Sequence, residues 1–154
     1  MLLQQSLKGE KKHKIKRDMN NYIGKALIVC KEKTDIDTLR AHVLSISPKA
    51  SVTEVQTAND ALDYVQKLTL AKVRVPDIIF LDTSCSFEDS KRILAMLDKY
   101  YRASSEKSVF LINRQFTLDK IMRIVRFNCV KDILTTPILK YELLSHIGRI
   151  KTLT

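Results

Sequence analysis

The side chains that could do chemistry in this 154-residue chain stand at the ends of short apolar runs. Asp82 directly follows Ile78–Leu81, the most apolar of these runs. If the ends of several runs meet in space, Asp82 could lie beside the Lys31 ammonium and the thiols of Cys30 and Cys85. That set could form an ion pair, a redox site or a soft-metal site. Buried, inert thiols are the alternative interpretation of both cysteines.

Local motifs for covalent catalysis or for a structural metal are absent from the sequence. The cysteines, at positions 30, 85 and 129, are too widely spaced for a disulfide framework or a zinc pattern. The three histidines are equally scattered, and neither a glycine-rich phosphate loop nor a nucleophile–base pair can be assembled. We therefore expect no independent enzymatic activity and no required cofactor.

Apolar runs alternate with helical periodicity from residue 25 onward. The runs that predict strands are Lys25–Cys30, Ser51–Gln56, Ile78–Leu81, Val109–Ile112 and Lys131–Leu134. Apolar residues at spacings of three and four predict a helix after each of them. Five such repeats imply an α/β fold, a five-stranded parallel sheet that is doubly wound with helices on both faces. Function is then expected outside the carboxyl ends of the strands.

The fourth and the last of the predicted helices each have a distinct apolar face. The inward face of the fourth helix is predicted to carry Leu118, Ile121, Met122 and Val125, and that of the last helix Leu139, Leu143, Leu144, Ile147 and Ile150. Lys120, Arg123 and Arg126 follow each other at spacings of three and would occupy the opposite side of the fourth helix.

Four segments, in this order and spacing, resemble the receiver domains of response regulators over residues 25–150. These segments are Ala26–Val29, Thr57–Leu62, Pro76–Asp82 and Asp132–Pro137, and Asp89-Ser90 resembles the Asp-Gly that begins the third helix of that family. The resemblance implies the flavodoxin-like (βα)5 receiver fold for residues 25–154. It also implies a phosphoacceptor at Asp82, which in the family takes a phosphoryl group from a histidine kinase.

The resemblance implies a magnesium site as well, but this sequence departs from the pattern of the family. Receivers hold Mg²⁺ partly with an acidic pair after the first strand, and here Cys30 and Lys31 occupy those positions. Thr136 replaces the lysine that assists phosphorylation, while Asn113 and Ile133 replace the hydroxyl and aromatic switch residues.

The residues expected around Asp82 therefore form a degenerate phosphorylation pocket. They are Cys30, Lys31, Glu32, Ser84, Asn113 and Thr136. We hypothesise that the Lys31 ammonium stands in the place of the cation and pairs with Asp82; the alternative is a solvated loop lysine. No metal is expected, unless Asp82 and Glu32 together retain Mg²⁺ and the receiver chemistry survives.

The positive charge of the chain is uneven. Its 27 Lys and Arg against 17 Asp and Glu give a formal charge of +10, and half of that excess lies in residues 1–25. Residues 1–24 are predicted to be a flexible basic arm, which could contact nucleic acid without reading its sequence or could be only a solvated leader. No apolar run approaches the length of a membrane helix, so we expect a cytoplasmic protein with no membrane insertion.

A second basic group is expected to bind a partner. It comprises Arg114, Lys120, Arg123, Arg126 and Lys131. In receivers the last two helices mediate dimerisation and output, so a homodimer or an acidic signalling protein could dock there; an ordinary solvated face is the alternative. The function expected is a receiver-like signalling module that works through protein–protein contact. An active phosphoacceptor on Asp82 and a nucleic-acid-associated protein are the two alternatives.

Overall fold

The apolar runs form the strands of one parallel sheet in the computed structural model of the chain. The structure describes residues 23–84, 86–101, 107–114 and 116–153, with only the backbone of 148–153. Residues 1–22 of the predicted basic arm, the Cys85 thiol and the side chain of Ile150 lie outside the described residues.

Strands and helices alternate strictly along the chain. The strands are β1 (Lys25–Val29), β2 (Ser51–Val55), β3 (Ile78–Asp82), β4 (Ser108–Ile112) and β5 (Val130–Leu134). The helices are α1 (Lys33–Ile46), α2 (Ala58–Leu70), α3 (Phe87–Tyr101), α4 (Leu118–Ile124) and α5 (Lys140–Leu153). None of the helices in the described ranges is long and apolar enough to cross a membrane.

The strand order is β2-β1-β3-β4-β5, and all neighbouring strands pair in parallel. This confirms the prediction of a doubly wound, flavodoxin-like (βα)5 sheet. The continuous apolar runs of β3 and β4 lie inside the sheet and are buried throughout, whereas β2, whose sequence alternates, is an edge strand. Because β1, β3 and β4 are adjacent, the residues that follow them meet at one edge.

The sheet separates two apolar cores. One core packs α1 and α5 against the sheet around Phe80 and Phe110, whose rings meet edge to face at 5.9 Å. The other packs α2, α3 and α4 against the opposite face, around Leu27, Ile79 and Leu111. Helices on both faces cover the apolar surface of the parallel sheet, which would otherwise be exposed to water.

The predicted inward faces of α4 and α5 are partly wrong. On α4 the buried residues are Ile121 and Ile124, while Leu118 is 77% exposed and Met122 58% exposed. On α5 Leu143 and Ile147 are buried as predicted, but Leu144 is exposed, as is Leu139, which directly precedes the helix. Helix α4 is only seven residues long, so its contact with α3 and the sheet, rather than its own apolar spacing, selects the inward face.

A buried carboxylate joins the strands at their amino ends. The Asp77 carboxylate accepts hydrogen bonds from the backbone N–H groups of Gly24 and Lys25, at 2.8 and 3.0 Å. It also accepts from Lys107 Nζ at 2.6 Å and from Arg74 Nη2 at 2.8 Å. Burial by itself would raise the pKa of Asp77, but these hydrogen bonds outweigh it and hold that pKa below its usual range.

Candidate functional site

Asp82 lies at the carboxyl edge of the sheet, where the ends of β1, β3 and β4 meet. Its side chain is 1% exposed, and both carboxylate oxygens have partners. Oδ1 accepts a hydrogen bond from the Ser84 N–H at 2.9 Å. Oδ2 lies 2.6 Å from Arg114 Nε and 3.2 Å from Cys30 Sγ. The carboxylate is therefore enclosed by groups of the chain itself.

The cation that pairs with Asp82 is Arg114, which follows β4. Its guanidinium also binds the carboxylate of Asp35, in the first turn of α1, and so bridges two acidic side chains. Partial burial by itself would lower the pKa of Arg114, but the hydrogen bonds to Asp82 and Asp35 outweigh it and raise that pKa. The arginine is therefore a permanent cation in this pocket.

The hypothesis that Lys31 pairs with Asp82 is wrong. Lys31 is exposed at the end of β1, and Arg114 makes the ion pair instead. Strand order does not decide between the two cations, because β1 and β4 both flank β3; the Arg114 guanidinium is held between Asp82 and Asp35, whereas the Lys31 side chain is exposed to solvent. The planar guanidinium of Arg114, which already binds Asp35, also forms stronger hydrogen bonds to a carboxylate than the solvated ammonium of Lys31 would.

The backbone at Arg114 is held by Thr83, a residue that sequence reasoning missed. Thr83 is fully buried, and its hydroxyl donates to the carbonyl of Ile112 at 3.0 Å. The same oxygen accepts from the N–H of Arg114 at 2.8 Å. The loops after β3 and β4 are thereby fastened together, so that the guanidinium has little freedom to leave Asp82.

The Cys30 thiol lies in the pocket and donates toward Asp82. Burial, together with the hydrogen bond to Asp82, raises the pKa of Cys30 to about 11. A thiol with that pKa remains protonated near neutral pH, so it is neither a nucleophile nor a ready metal ligand. The surroundings of Cys30 favour the inert-thiol interpretation, which stays a prediction.

The other predicted pocket residues divide into two groups. Ser84 contributes its N–H, and Asn113 lies beside Thr83, with Oδ1 3.5 Å from the threonine hydroxyl. Glu32 and Thr136 are exposed, and no hydrogen bond or ion pair of their side chains reaches Asp82 within the described part of the chain. The second carboxylate of the pocket is Asp35 rather than Glu32. The acidic first turn of α1 was the sequence signal for it.

These residues do not fit Mg²⁺. The ion prefers an octahedral set of hard oxygen ligands. The pocket offers Asp82 and Asp35, which both bind the Arg114 guanidinium, and a protonated thiol at Cys30. Among the described residues, no group of three His, Cys, Asp or Glu side chains could hold a metal ion.

The five predicted partner-binding residues do not all lie on one surface. Arg114 belongs to the pocket, with its side chain only 20% exposed. Lys120 lies over the rings of Phe87 and Phe116, at 5.7 and 6.0 Å from their centroids. Arg123 pairs with Asp119 at 3.2 Å, and Arg126 and Lys131 are exposed.

Comparisons by sequence find no relatives: no family model matches the chain, and no curated protein matches it. Comparison of structures finds many. The signal receiver domain of a DNA-binding response regulator (merR) from Colwellia psychrerythraea is 20% identical, with a TM-score of 0.60 over 83% of this chain and 98% of that one.

Two further structures agree with the first. A two-component response regulator from Legionella pneumophila is 16% identical, with a TM-score of 0.65 over 83% of this chain and 98% of that chain. The phosphorylated cyanobacterial phytochrome response regulator RcpA is 18% identical, with a TM-score of 0.60 over 83% of this chain and 91% of its own. At these identities the likeness concerns the fold, and it says nothing about which pocket residues are shared.

Proposed function

We propose that this chain, whose fold is that of a response-regulator receiver domain, is a signalling module of the two-component type that works without phosphorylation. In this proposal a histidine kinase or an output protein is its partner, protein–protein contact is its mode of action, and the cytoplasm is its location. It performs no catalysis of its own and requires no cofactor.

The ion pair between Arg114 and Asp82 carries the proposal. Phosphoryl transfer to a carboxylate requires a free oxygen in line with the donor and a cation that neutralises the transferred group. Here the Asp82 carboxylate is 1% exposed, its Oδ2 accepts from both Arg114 and Cys30, and its Oδ1 accepts from Ser84. A positive group bound to Asp82 also holds the β3 and β4 loops in one arrangement.

The surface proposed for partner contact is the outer face of α4. We define this α4 face by Leu118, Lys120, Met122, Arg123 and Arg126. The two apolar side chains are 77% and 58% exposed, and the same short segment carries three exposed cations, Lys120 and Arg123 in the helix and Arg126 in the turn after it. Exposed apolar side chains rimmed by charge are typical of protein-binding surfaces, and the excess of cations favours an acidic partner.

Incubation of the full chain with acetyl phosphate and Mg²⁺, followed by intact mass measurement, tests the pocket. We expect no phosphoryl adduct on the wild-type protein under conditions that phosphorylate a receiver with an intact acidic pair. An adduct on the wild type that disappears in Asp82→Asn would contradict the proposal and support the active phosphoacceptor.

Charge reversal tests the α4 face separately. A partner captured by the wild type should be lost when Arg123 and Arg126 are both replaced by Glu. The matched control reverses Lys33 and Lys49, because Lys33 makes an exposed i,i+4 pair with Asp37 just as Arg123 does with Asp119. If both double variants retain the partner equally, the α4 face is not the contact surface.

A further inference from the structure

A cavity of about 410 Å³ opens at the amino edge of the sheet, the edge opposite to Asp82. It lies between the carboxyl ends of α2 and α3, beside the segment 71–77 that precedes β3. It is an open groove, a shape suited to a protruding side chain of a partner more than to an enclosed small ligand. No step of the proposed signalling function uses it.

The cavity walls are mainly apolar and open to solvent. Val73 is 49% exposed and Tyr100 38% exposed, and both line the cavity together with Val75. Leu70, which is 83% exposed, lies at the end of α2 close to the cavity in sequence. Partly exposed apolar walls of this kind favour a ligand that brings an apolar group of its own.

Three cations line the same cavity, namely Lys72, Arg74 and Lys107. Asp77 pairs with Arg74 and Lys107 but not with Lys72. The Asp77 side chain is 8% exposed and faces the sheet, where it also accepts two backbone N–H groups. Among the described residues, the three cations and the one buried carboxylate sum to a net positive charge, which favours an anionic ligand.

Lys72 is held at the cavity by an unusual backbone conformation. Its φ is +58°, the left-handed region in which glycine normally ends a helix. The N–H of Lys72 donates to the carbonyl of Thr69 and that of Val73 to Leu68, the pattern of a Schellman cap. A lysine therefore occupies a position where glycine would be less strained, and within the described residues it has no ion pair.

From these observations we infer that this amino-edge cavity binds an acidic segment of a partner protein in which a bulky apolar side chain is flanked by carboxylates. The apolar side chain enters between Val73 and Tyr100, and the carboxylates meet Lys72 and Arg74. Nucleic acid fits less well, because the three cations converge on one apolar cavity instead of following a phosphate backbone.

Titration of the ¹⁵N-labelled full chain with a short peptide tests the inference. The probe is acetyl-Glu-Asp-Leu-Phe-Glu-amide, and the control peptide replaces each acid by its amide. We expect the amide resonances of Val73, Val75 and Lys107 to shift and to reach saturation with the acidic peptide. The affinity for the neutral peptide should be lower by about tenfold or more, since several ion pairs are lost together. Shifts scattered over the other basic surfaces, or equal with both peptides, would overturn the inference.

Lys72→Gly separates binding from folding. Glycine relieves the strain at this position, so the variant should fold at least as well as the wild type. Its affinity for the acidic peptide should nevertheless fall about three- to fivefold, the effect of one exposed ion pair. The matched control, Lys49→Gly, removes an exposed lysine from the turn between α1 and β2, which does not line the cavity, and should leave the affinity unchanged.

Two further results would overturn the inference. One is an affinity of Lys72→Gly equal to that of Lys49→Gly. The other is a single-stranded oligonucleotide that shifts the same amides at lower concentration than the peptide, which would assign the cavity to nucleic acid. Neither result bears on the phosphorylation test of Asp82, because the two sites lie at opposite edges of the sheet.

Discussion

Nε of Arg114 lies 2.6 Å from Oδ2 of Asp82, so a side chain that follows β4 supplies the cation beside the carboxylate that ends β3. The same guanidinium binds Asp35 in α1. Three elements of the fold therefore meet through one arginine. Asp82 is thereby paired with a cation of the chain itself, which cannot be removed by dilution or chelation.

Removal of Arg114 should leave Asp82 as a buried, unpaired charge. We expect Arg114→Ala to lower the free energy of unfolding by about 2 to 3 kcal/mol, a moderate value because the pair is partly exposed. Urea denaturation at neutral pH measures the change. The matched control is Arg126→Ala, an exposed arginine of the α4 face, which should change stability by less than about 0.5 kcal/mol.

The double variant Arg114→Ala/Asp82→Asn extends this test. Since it removes both charges of the pair, it should recover part of the stability that Arg114→Ala loses. A loss in Arg114→Ala no larger than that in Arg126→Ala would mean that the pair contributes nothing to the fold.

The carboxylate of Asp77 should make stability depend on pH. Its pKa is lowered in the folded protein, so its contribution is present above the unfolded value of about 3.9 and is lost as the pH falls through the lower folded value. We expect Asp77→Asn to cost about 2 kcal/mol at pH 7 and progressively less below pH 4. Urea denaturation across this range, with exposed Asp63→Asn as control, measures the difference.

The direction of this pH dependence tests the direction of the pKa shift. If the gap in stability between wild type and Asp77→Asn widened as the pH fell, the pKa of Asp77 would be raised, not lowered, in the folded protein.

The buried thiols should resist alkylation and disulfide exchange. Burial raises the pKa of Cys30 to about 11, with help from Asp82, and that of Cys129 to about 12, with help from Asp98. In a Cys85→Ser background, we expect a disulfide reagent at pH 8 to label neither thiol until urea unfolds the protein. Rapid labelling of the native variant would instead show that one of the two thiols is accessible.

The orientation of α4 can be checked with two single substitutions. Ile124 is fully buried against α3 and the sheet, so Ile124→Ala should lower the free energy of unfolding by about 3 kcal/mol. Met122 is 58% exposed, so Met122→Ala should change it by less than about 0.5 kcal/mol. Thermal or urea denaturation measures both losses. If the helix presented Met122 to the core, Met122→Ala would lose more stability than Ile124→Ala.

The sequence by itself determined the five strands, their parallel arrangement and the location of Asp82. Continuous apolar runs such as Ile78–Leu81 must be buried on both faces, and such runs alternating with amphipathic helices allow few topologies. Asp82 then had to lie at the carboxyl edge, because it directly follows one of those runs. All three features depend on hydrophobic burial, which is read from residue type and spacing.

The tertiary structure alone decided which cation meets Asp82. Lys31 and Arg114 both follow strands that flank β3, and their spacing in the sequence cannot distinguish them. The choice depends on the paths of the loops, on Thr83 holding the backbone of Arg114, and on Asp35 binding the other side of its guanidinium.

The inward face of α4 was decided in the same way. Its short sequence has apolar residues on two sides, and only packing against α3 and the sheet selects Ile121 and Ile124 over Leu118 and Met122. Pairing geometry and packing depend on where elements distant in the chain come together. Local periodicity carries no information about that placement.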